Sequence, residues 1–250
     1  MFLFISPDKN PYFNLASEEL LFNKRDENFL LIYRNFPSVI IGKHQNPYIE
    51  ADLIYLKTKN IMLARRLSGG GSVYHDEGNI NFCFIQTVES EKKINFDNYT
   101  KQIISFLKYI GLNIEVNEKD DILLDNKKIS GNAQHINKNR VLHHGTLLFS
   151  SDLDQLRKSL NPKNPDKYIT HASKSVKSRV TNILCNDPKV KNIDNFQNML
   201  EEFLTKKMEL KKLNFSESEI IAIKKQVRQK YQTWEWIFGY SPHYSIDIKD

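Results

Sequence analysis

Arg65-Arg66-Leu67-Ser68-Gly69-Gly70-Gly71-Ser72-Val73-Tyr74-His75-Asp76 joins two apolar, strand-like runs through a serine and three consecutive glycines. A plain hairpin does not need three glycines, because each forfeits backbone entropy on folding. What they offer is bare backbone N–H groups and close approach to a ligand; an anion can sit among such donors, with an arginine fixing its charge. A flexible surface loop is the competing reading of a glycine run. The neighbours argue against it, with Arg65-Arg66 on one side and His75-Asp76 on the other. The stretch is not a P-loop, since no Gly-Lys-Ser/Thr follows. Nor is it a dinucleotide fingerprint, since the third glycine of that spacing would fall at Tyr74.

Outward from the loop the pattern is one of short strands and a few helices. Ile61-Met62-Leu63-Ala64 is the strand leading in. Gly78-Asn79-Ile80-Asn81-Phe82-Cys83-Phe84-Ile85 leads away, and its alternation puts Ile80, Phe82 and Phe84 on one face. Upstream, Met1 to Ser6 reads as a strand and Asn14 to Phe22 as an amphipathic helix with Asn14 as its N-cap. Phe29 to Tyr33 and Ser38 to Gly42 are two strands joined around Asn35-Phe36-Pro37, and residues 49–57 are expected to be helical. Downstream, residues 97–110 form a helix with Tyr99, Ile103, Phe106, Leu107 and Ile110 as its apolar stripe. A strand starts at Ile114 and Val116, and residues 121–131 read as a hairpin turning at Asp125-Asn126. After a turn at Asn137-Lys138-Asn139 a strand returns from Val141 to Phe149. Residues 61–149 therefore supply antiparallel strands around one helix, segregated and not alternating, which argues α+β. A short helix is expected from Asp152 to Leu160, another over 192–208, and a third from the capping box Ser216-Glu217-Ser218-Glu219 to Tyr231. Thr233-Trp234-Glu235-Trp236 is expected to anchor the end of the chain by aromatic burial.

At 250 residues, 40% hydrophobic and 26% charged, the chain can bury one large core and has an ordinary globular composition. No apolar run approaches the ~20 residues of a membrane span. The N-terminus lacks the basic flank and the apolar length of a signal peptide. Cys83 and Cys185 do not make a disulfide framework, which points to a reducing compartment. The net charge of +6 suggests an acidic partner: a nucleic acid, an acidic protein or a phosphorylated small molecule.

Lys128 stands between an acidic hairpin arm and Ser130-Gly131. A strand lysine is usually solvated, but a following glycine lets a ligand approach, and the amine can hold a carboxylate or phosphate oxygen. His143 and His144 are consecutive strand residues and point to opposite faces, so they do not share one metal. Cys83 lies on a strand and reads as a packed side chain, while Cys185, in a polar loop, is a weak nucleophile candidate. Residues 170–182 are polar, basic and rich in hydroxyls: either a mobile surface loop or one that closes over an anionic ligand.

Four blocks in order carry a resemblance: Arg65-Arg66-x-Ser68-Gly69-Gly70-Gly71-x-Val73-x-His75-Asp76-x-Gly78-Asn79, Lys128-Ile129-Ser130-Gly131-Asn132-Ala133, His143-His144-Gly145-Thr146-Leu147-Leu148, and Ser175 through Asn182. With these the chain resembles the lipoate–protein ligase family of the biotin/lipoate ligase superfamily, from Asn14-Leu15-Ala16 to Trp236-Ile237-Phe238-Gly239. The resemblance implies a mixed, largely antiparallel sheet packed by helices, with a lipoyl pocket beside the glycine loop. It implies two half-reactions: the lipoate (or octanoate) carboxylate attacks the α-phosphate of ATP to give the acyl-adenylate and pyrophosphate, and an acceptor lysine then attacks that mixed anhydride. By the same resemblance Lys128 is the site lysine. Arg66, Ser68, Gly69, Gly70 and Gly71 form the lipoate-binding loop, and Val73 and His75 line the pocket. Asn79 contacts the nucleotide side, and Ser130, Gly131 and Ala133 belong to the adenylate site. His144 and Gly145 flank the acyl chain, Lys177 and Arg179 fold over the adenylate, and Asp121 lies near magnesium.

Members of the family commonly carry a small accessory domain after the Trp-x-Trp segment. Residues 1–250 are expected to be a single catalytic domain without it, which opens three readings: a truncated chain, a separate partner protein, or activity without that domain. A lipoyltransferase acting on preformed lipoyl-AMP is thus the second reading, and a basic nucleic-acid-binding module is a third, resting on charge alone. Octanoyltransferases with a catalytic cysteine fit less well, and a biotin ligase is disfavoured because its Gly-Arg-Gly-Arg/Lys loop is missing. The implied partners are acidic lipoyl acceptor domains, namely 2-oxoacid dehydrogenase E2 subunits and the glycine cleavage H protein. No membrane or nucleic-acid partner is expected, and the expected location is the cytoplasm, or the mitochondrial matrix in a eukaryote.

Overall fold

Pro11 starts the helix around which the two main sheets are arranged. In a computed structural model, which describes residues 1–24, 26–89, 95, 97–118, 121–183 and 190–247, the elements in chain order begin with β1 (Phe2–Ile5), α1 (Pro11–Asn23), β2 (Phe29–Tyr33), β3 (Ser38–Ile41), α2 (Pro47–Glu50) and α3 (Leu53–Thr58). There follow β4 (Met62–Arg65), β5 (Val73–His75), β6 (Asn79–Thr87), α4 (Asp97–Tyr109), β7 (Ile114–Val116), β8 (Ile122–Leu124), β9 (Lys127–Ser130), β10 (Asn132–Asn137) and β11 (Arg140–Leu148). The last are α5 (Leu153–Ser159), β12 (Tyr168–Thr170), α6 (Ile193–Met208), β13 (Lys211–Lys212), α7 (Glu217–Gln226) and β14 (Tyr244–Ile246).

A six-stranded sheet runs β10-β11-β6-β2-β1-β13, and a three-stranded one runs β4-β3-β5. In the large sheet β10, β11, β6 and β2 are antiparallel neighbours, whereas β1 pairs parallel with both β2 and β13. The sheet is mixed and largely antiparallel, as expected. Alternation along β6 sorts its faces. Ile80, Phe82 and Phe84 pack with Ile103, Phe106 and Leu107 of α4 and Phe196, Leu200 and Leu204 of α6. Cys83 and Ile85 face Leu21 and Phe22 of α1. The other side of α1 packs Phe13, Leu15 and Ala16 against Ile40 of β3, Ala64 of β4 and Ile223 of α7. A helix enclosed on both sides needs no single apolar stripe, so Asn14, Ser17 and Glu18 are buried along with its hydrophobic residues.

Several local expectations need correction. The cap of α1 is Asn10, whose side chain accepts the Tyr12 N–H at 2.9 Å, and Pro11 takes the first helical position. Asn14 lies inside the helix and donates to Asn35 Oδ1 at 2.8 Å. The span 49–57 is two short helices, because Asp52 interrupts it and caps the second. Strands β2 and β3, joined around Asn35-Phe36-Pro37, enter different sheets; the pairings within residues 61–149 are antiparallel as expected, while β4 pairs parallel with β3 from outside that range. At the end of the chain Trp236 is half-buried and donates its indole N–H to the Arg65 carbonyl at 2.9 Å, whereas Trp234 is 62% exposed. The anchoring is therefore by Trp236 and by hydrogen bonds exchanged with Arg65, not by burial of both tryptophans. The hairpin turn at Asp125-Asn126 stands as read, with φ of 50° and 59°. Cys185 lies outside the described residues.

Arg140 fastens α1 to the large sheet. Its fully buried guanidinium donates to the carbonyls of Leu21, Phe22, Lys24 and Glu27 at 2.6–3.1 Å, capping the C-terminal end of the helix from β11. Arg140→Leu leaves those carbonyls without their charged donor. The expected loss is about 3 kcal/mol or more in urea unfolding; an unchanged midpoint would contradict the clamp.

Candidate functional site

Two adjoining cavities open between the sheets. The smaller, about 460 Å³, is walled by Tyr33 and Asn81 of the large sheet, Leu15 of α1, Ile40 of β3, the glycine loop, and residues 173–176 of the segment after β12. The larger, about 740 Å³, lies beside it toward α2 and α5. Lys128, Gly131, Thr146, Ser72, Val73 and the strap residues Lys174, Ser175, Val176 and Ser178 line both. The two spaces thus meet at Lys128 and under the strap.

The tandem arginines divide their work, because consecutive strand residues face opposite ways. Arg66 turns into the glycine loop: its Nε donates to Ser68 Oγ at 2.9 Å, and its terminal nitrogens donate to the carbonyls of Ile40 (3.0 Å), Gly69 (2.6 Å) and Gly71 (2.7 Å). Four of its five N–H groups are thus directed at the protein, and it shapes the loop more than it offers a ligand contact. Burial lowers its pKa to about 10, which leaves it charged at neutral pH. Gly70 takes the left-handed conformation, φ +82°, that lets the loop curl back on this guanidinium. Arg65 points the other way, to the carbonyls of Gly42, Lys43 and Gln45 and to those of Trp236 and Ile237 near the end of the chain.

At the inner end of the smaller cavity a polar chain is buried. Tyr33 donates its hydroxyl to Glu18 Oε1 at 2.9 Å, Glu18 Oε2 lies 3.1 Å from His144 Nδ1, and His144 Nε2 lies 2.6 Å from Ser68 Oγ, which also receives Arg66. Burial, then the Glu18 charge, pushes the Tyr33 phenol up, so it stays a donor. Burial likewise raises the Cys83 thiol, which is fully buried next to Glu18; this disfavours a nucleophilic role. His75 lies 2.9 Å from Asn35 through Nδ1, and burial lowers its pKa to about 3, with the Arg66 charge adding to the effect. Its other nitrogen, Nε2, is buried without a partner among the described residues.

At the junction, Lys128 Nζ lies 2.7 Å from Asp121 Oδ1. Its backbone is fixed independently, donating to the Arg179 carbonyl at 2.8 Å and accepting the Thr181 N–H at 3.0 Å. A side chain at position 131 would meet the lysine amine at 3.1 Å, so the glycine there makes room for Lys128.

Of the residues expected from sequence, Arg66, Gly70, Gly71, Val73, His75, Asp121, Lys128, Gly131, Ala133, His144 and Gly145 line the smaller cavity, and Ser130 and Lys177 the larger. Ser68, Gly69, Asn79 and Arg179 line neither. Ser68 and Gly69 are tied to Arg66. Asn79 is fully buried behind Asn81, to which it donates at 2.9 Å, so the side chain exposed to the cavity is that of Asn81. Arg179 is exposed and serves Lys128 through its carbonyl. His143 faces away, stacked on Tyr99 at 4.9 Å between ring centroids, as the alternation predicts. The sequence reading missed Glu18, Tyr33, Gln45, Glu50 and Asn81. A signal existed for two of them: Glu18 follows Leu15 by three residues on a helix, and Asn81 alternates opposite Ile80 and Phe82.

Among the described residues, the one group of three clustered metal-ligating side chains is Glu18, Cys83 and His144, all buried. A thiol and an imidazole do not suit magnesium, which takes oxygen ligands, and Asp121 alone, already paired with Lys128, does not build a site for it. Also among the described residues, no helix is long and apolar enough to cross a membrane.

Comparison with known proteins places this geometry. The family described as Lipoyl protein ligase A/B catalytic domain matches residues 10–205. Lipoate–protein ligase 1 of Staphylococcus aureus is 38% identical over 245 residues, covering 96% of this chain and 74% of that protein. Among solved structures, the bi-partite lipoate protein ligase of Thermoplasma acidophilum, described with its E2 lipoyl domain, superposes with a TM-score of 0.80 at 28% identity, covering 96% of each chain. A lipoate-protein ligase A bound with ATP superposes at 0.79 with 29% identity, over 96% of this chain and 98% of the other.

The neutral histidines give a pH test. Burial lowers both His75 and His143 to about 3, whereas the unfolded chain protonates its histidines near 6.5. Each therefore contributes stability that is full above the unfolded value and lost as pH falls from about 6.5 toward 3, at about 1.4 kcal/mol per pH unit. Urea melts between neutral pH and about pH 4 should show this decline, and His143→Gln should make it shallower. A slope unchanged in that variant would contradict the neutral, buried assignment.

Proposed function

We propose, for a chain that belongs to the lipoyl protein ligase A/B catalytic-domain family, that it activates lipoate with ATP to lipoyl-AMP and transfers the lipoyl group to a lysine of an acceptor domain. The observation that carries this reading is the position of Lys128 at the junction of two cavities, held by Asp121. The smaller cavity, with Leu15, Ile40 and Val73 in its walls, suits an acyl chain. The larger suits the nucleotide. A carboxylate whose chain lies in the first then meets the α-phosphate of a nucleotide in the second beside the Lys128 amine. One carboxylate oxygen attacks phosphorus, the bond to pyrophosphate breaks, and the lysine stabilises the charge that develops on the phosphoryl oxygens. In the second half-reaction the acceptor ε-amine attacks the acyl carbon and AMP leaves with the bridging oxygen, its charge again next to Lys128.

Magnesium would enter with the ATP phosphates, since the described residues do not form a site for it. Asp121 is a positioning residue for Lys128. For the acceptor, a net charge of +6 would steer an acidic lipoyl domain, such as an E2 subunit or the glycine cleavage H protein, toward the site. Consumption of ATP is compatible with the cytoplasm or the mitochondrial matrix. We take residues 1–250 as one catalytic domain. A second reading, transfer from preformed lipoyl-AMP with activation assisted by a separate protein, is favoured by the match to 96% of the bi-partite Thermoplasma ligase chain.

Pyrophosphate release from ATP and lipoate without acceptor separates the two: release with lipoyl-AMP in the same sample supports the complete ligase, and transfer only from supplied lipoyl-AMP supports the second reading. Failure of both would overturn the assignment. In either assay Lys128→Ala should lower the rate by about 100-fold or more, with an unchanged melting temperature. Transfer at the wild-type rate would remove Lys128 from the chemistry.

A further inference from the structure

Glu50 ends α2, is 5% exposed, and forms no ion pair with the described residues. Its carboxylate instead takes both donors of Ser175: Oε1 accepts the N–H at 3.1 Å and Oε2 accepts the hydroxyl. The single Ser72 hydroxyl proton is directed at Gln45 Oε1 at 2.8 Å, with Glu50 Oε2 the longer alternative at 3.1 Å. The Ser175 hydroxyl in turn accepts the Ser72 N–H at 2.7 Å and Gln45 Nε2 at 3.1 Å, which fills its capacity of one donor and two lone pairs. Ser72 closes the glycine loop, so this knot fastens the strap to the loop from a third element. A side chain at Gly71 would meet Ser175 Oγ at 3.0 Å, which shows how close the two backbones come.

The knot is also the strap's local fastening. Among the described residues, every hydrogen bond of residues 174–178 passes through Ser175; the flanking ties are Ser173 to the His44 carbonyl and Arg179 to Lys128. Lys174, Val176, Lys177 and Ser178 are exposed, Val176 by 71%. Yet this strap lines both cavities and roofs the passage between them. A carboxylate at that point is a poor phosphate ligand, so its use is mechanical.

We propose that Glu50 is a positioning residue that latches the strap over the glycine loop through Ser175, and so retains the acyl-adenylate between its formation and its transfer. The retention half of this rests on the ligase reading above; the latch itself does not. Two measurements keep them apart. The first uses the ligand-free protein: tryptic cleavage after Lys174 and Lys177, mapped by mass spectrometry, reports how often the strap is open. Glu50→Ala and Ser175→Ala should each raise strap cleavage about tenfold relative to sites elsewhere. The double variant should add little, since one knot can be untied only once. Glu50→Gln, which keeps one acceptor oxygen, should restore part of the protection. Unchanged strap cleavage in both single variants, or fully additive effects, would overturn the latch; Ser175→Ala, a change in the strap alone, decides the matter should Glu50→Ala lower the melting temperature. The second follows lipoyl-AMP, made by the enzyme or supplied, as it leaves the protein in the absence of acceptor. The variants should release it several-fold faster than wild type, while the initial rate of pyrophosphate formation changes less. Equal release rates with raised cleavage would overturn retention and leave the latch. A wild-type protein that binds no lipoyl-AMP would overturn the ligase reading, and the tryptic arm would still decide the latch.

Discussion

Two guanidinium groups at the end of one short strand set the shape of everything around them. Arg65 and Arg66 are 0% and 4% exposed, and burial lowers both to about 10, so each is a charge inside the protein at neutral pH. A buried cation of this kind persists only where acceptors surround it. Here the acceptors are mostly backbone carbonyls, and supplying them forces the chain to wrap. Residues 42–45 and 236–237 wrap around Arg65, and the glycine loop wraps around Arg66. Because the two side chains leave β4 on opposite sides, one strand end fixes both the loop that lines the cavity and the segment that ends the fold.

The inner polar chain depends on the same arginine. Arg66 reaches Ser68, Ser68 reaches His144, and His144 reaches Glu18, which holds Tyr33. Five polar side chains buried at the inner end of the slot are stable because each satisfies the next. The chain also links three elements that sequence separates widely: α1, the glycine loop and β11. Arg140 locks α1 to β11 from the far end of the helix, so Glu18 and His144 meet at a fixed distance. The slot is thus shaped by internal electrostatics, and Lys128 stands where it meets the larger cavity, on a hairpin whose backbone is tied to residues 179–181.

Much of this was legible in the sequence. The glycine loop, Lys128 with Gly131, and the separation of His143 from His144 follow from composition and from alternation, which are local. What was not legible depends on tertiary partners. The Arg66 guanidinium could be read as an anion's partner because nothing local says that the carbonyls of Ile40, Gly69 and Gly71 will take its donors. Asn14 looked like a cap because it precedes the apolar run; Pro11 fixes the start of the helix one turn earlier. Glu50 and Ser175 lie 125 residues apart, and no pattern in either segment announces the other. The strap's rich complement of hydroxyls signalled a loop, but not which hydroxyl fastens it.

If a carboxylate in the slot attacks phosphorus beside Lys128, the acyl group travels as an adenylate. Lipoate labelled with oxygen-18 in both carboxylate oxygens tests it directly, with ATP, acceptor domain and enzyme, by mass analysis of the nucleotide product. The account predicts AMP carrying one oxygen-18, because the bridging oxygen leaves with phosphorus when the acceptor amine takes the acyl carbon. Unlabelled AMP alongside lipoylated acceptor, or label appearing in a phosphate product instead, would contradict it.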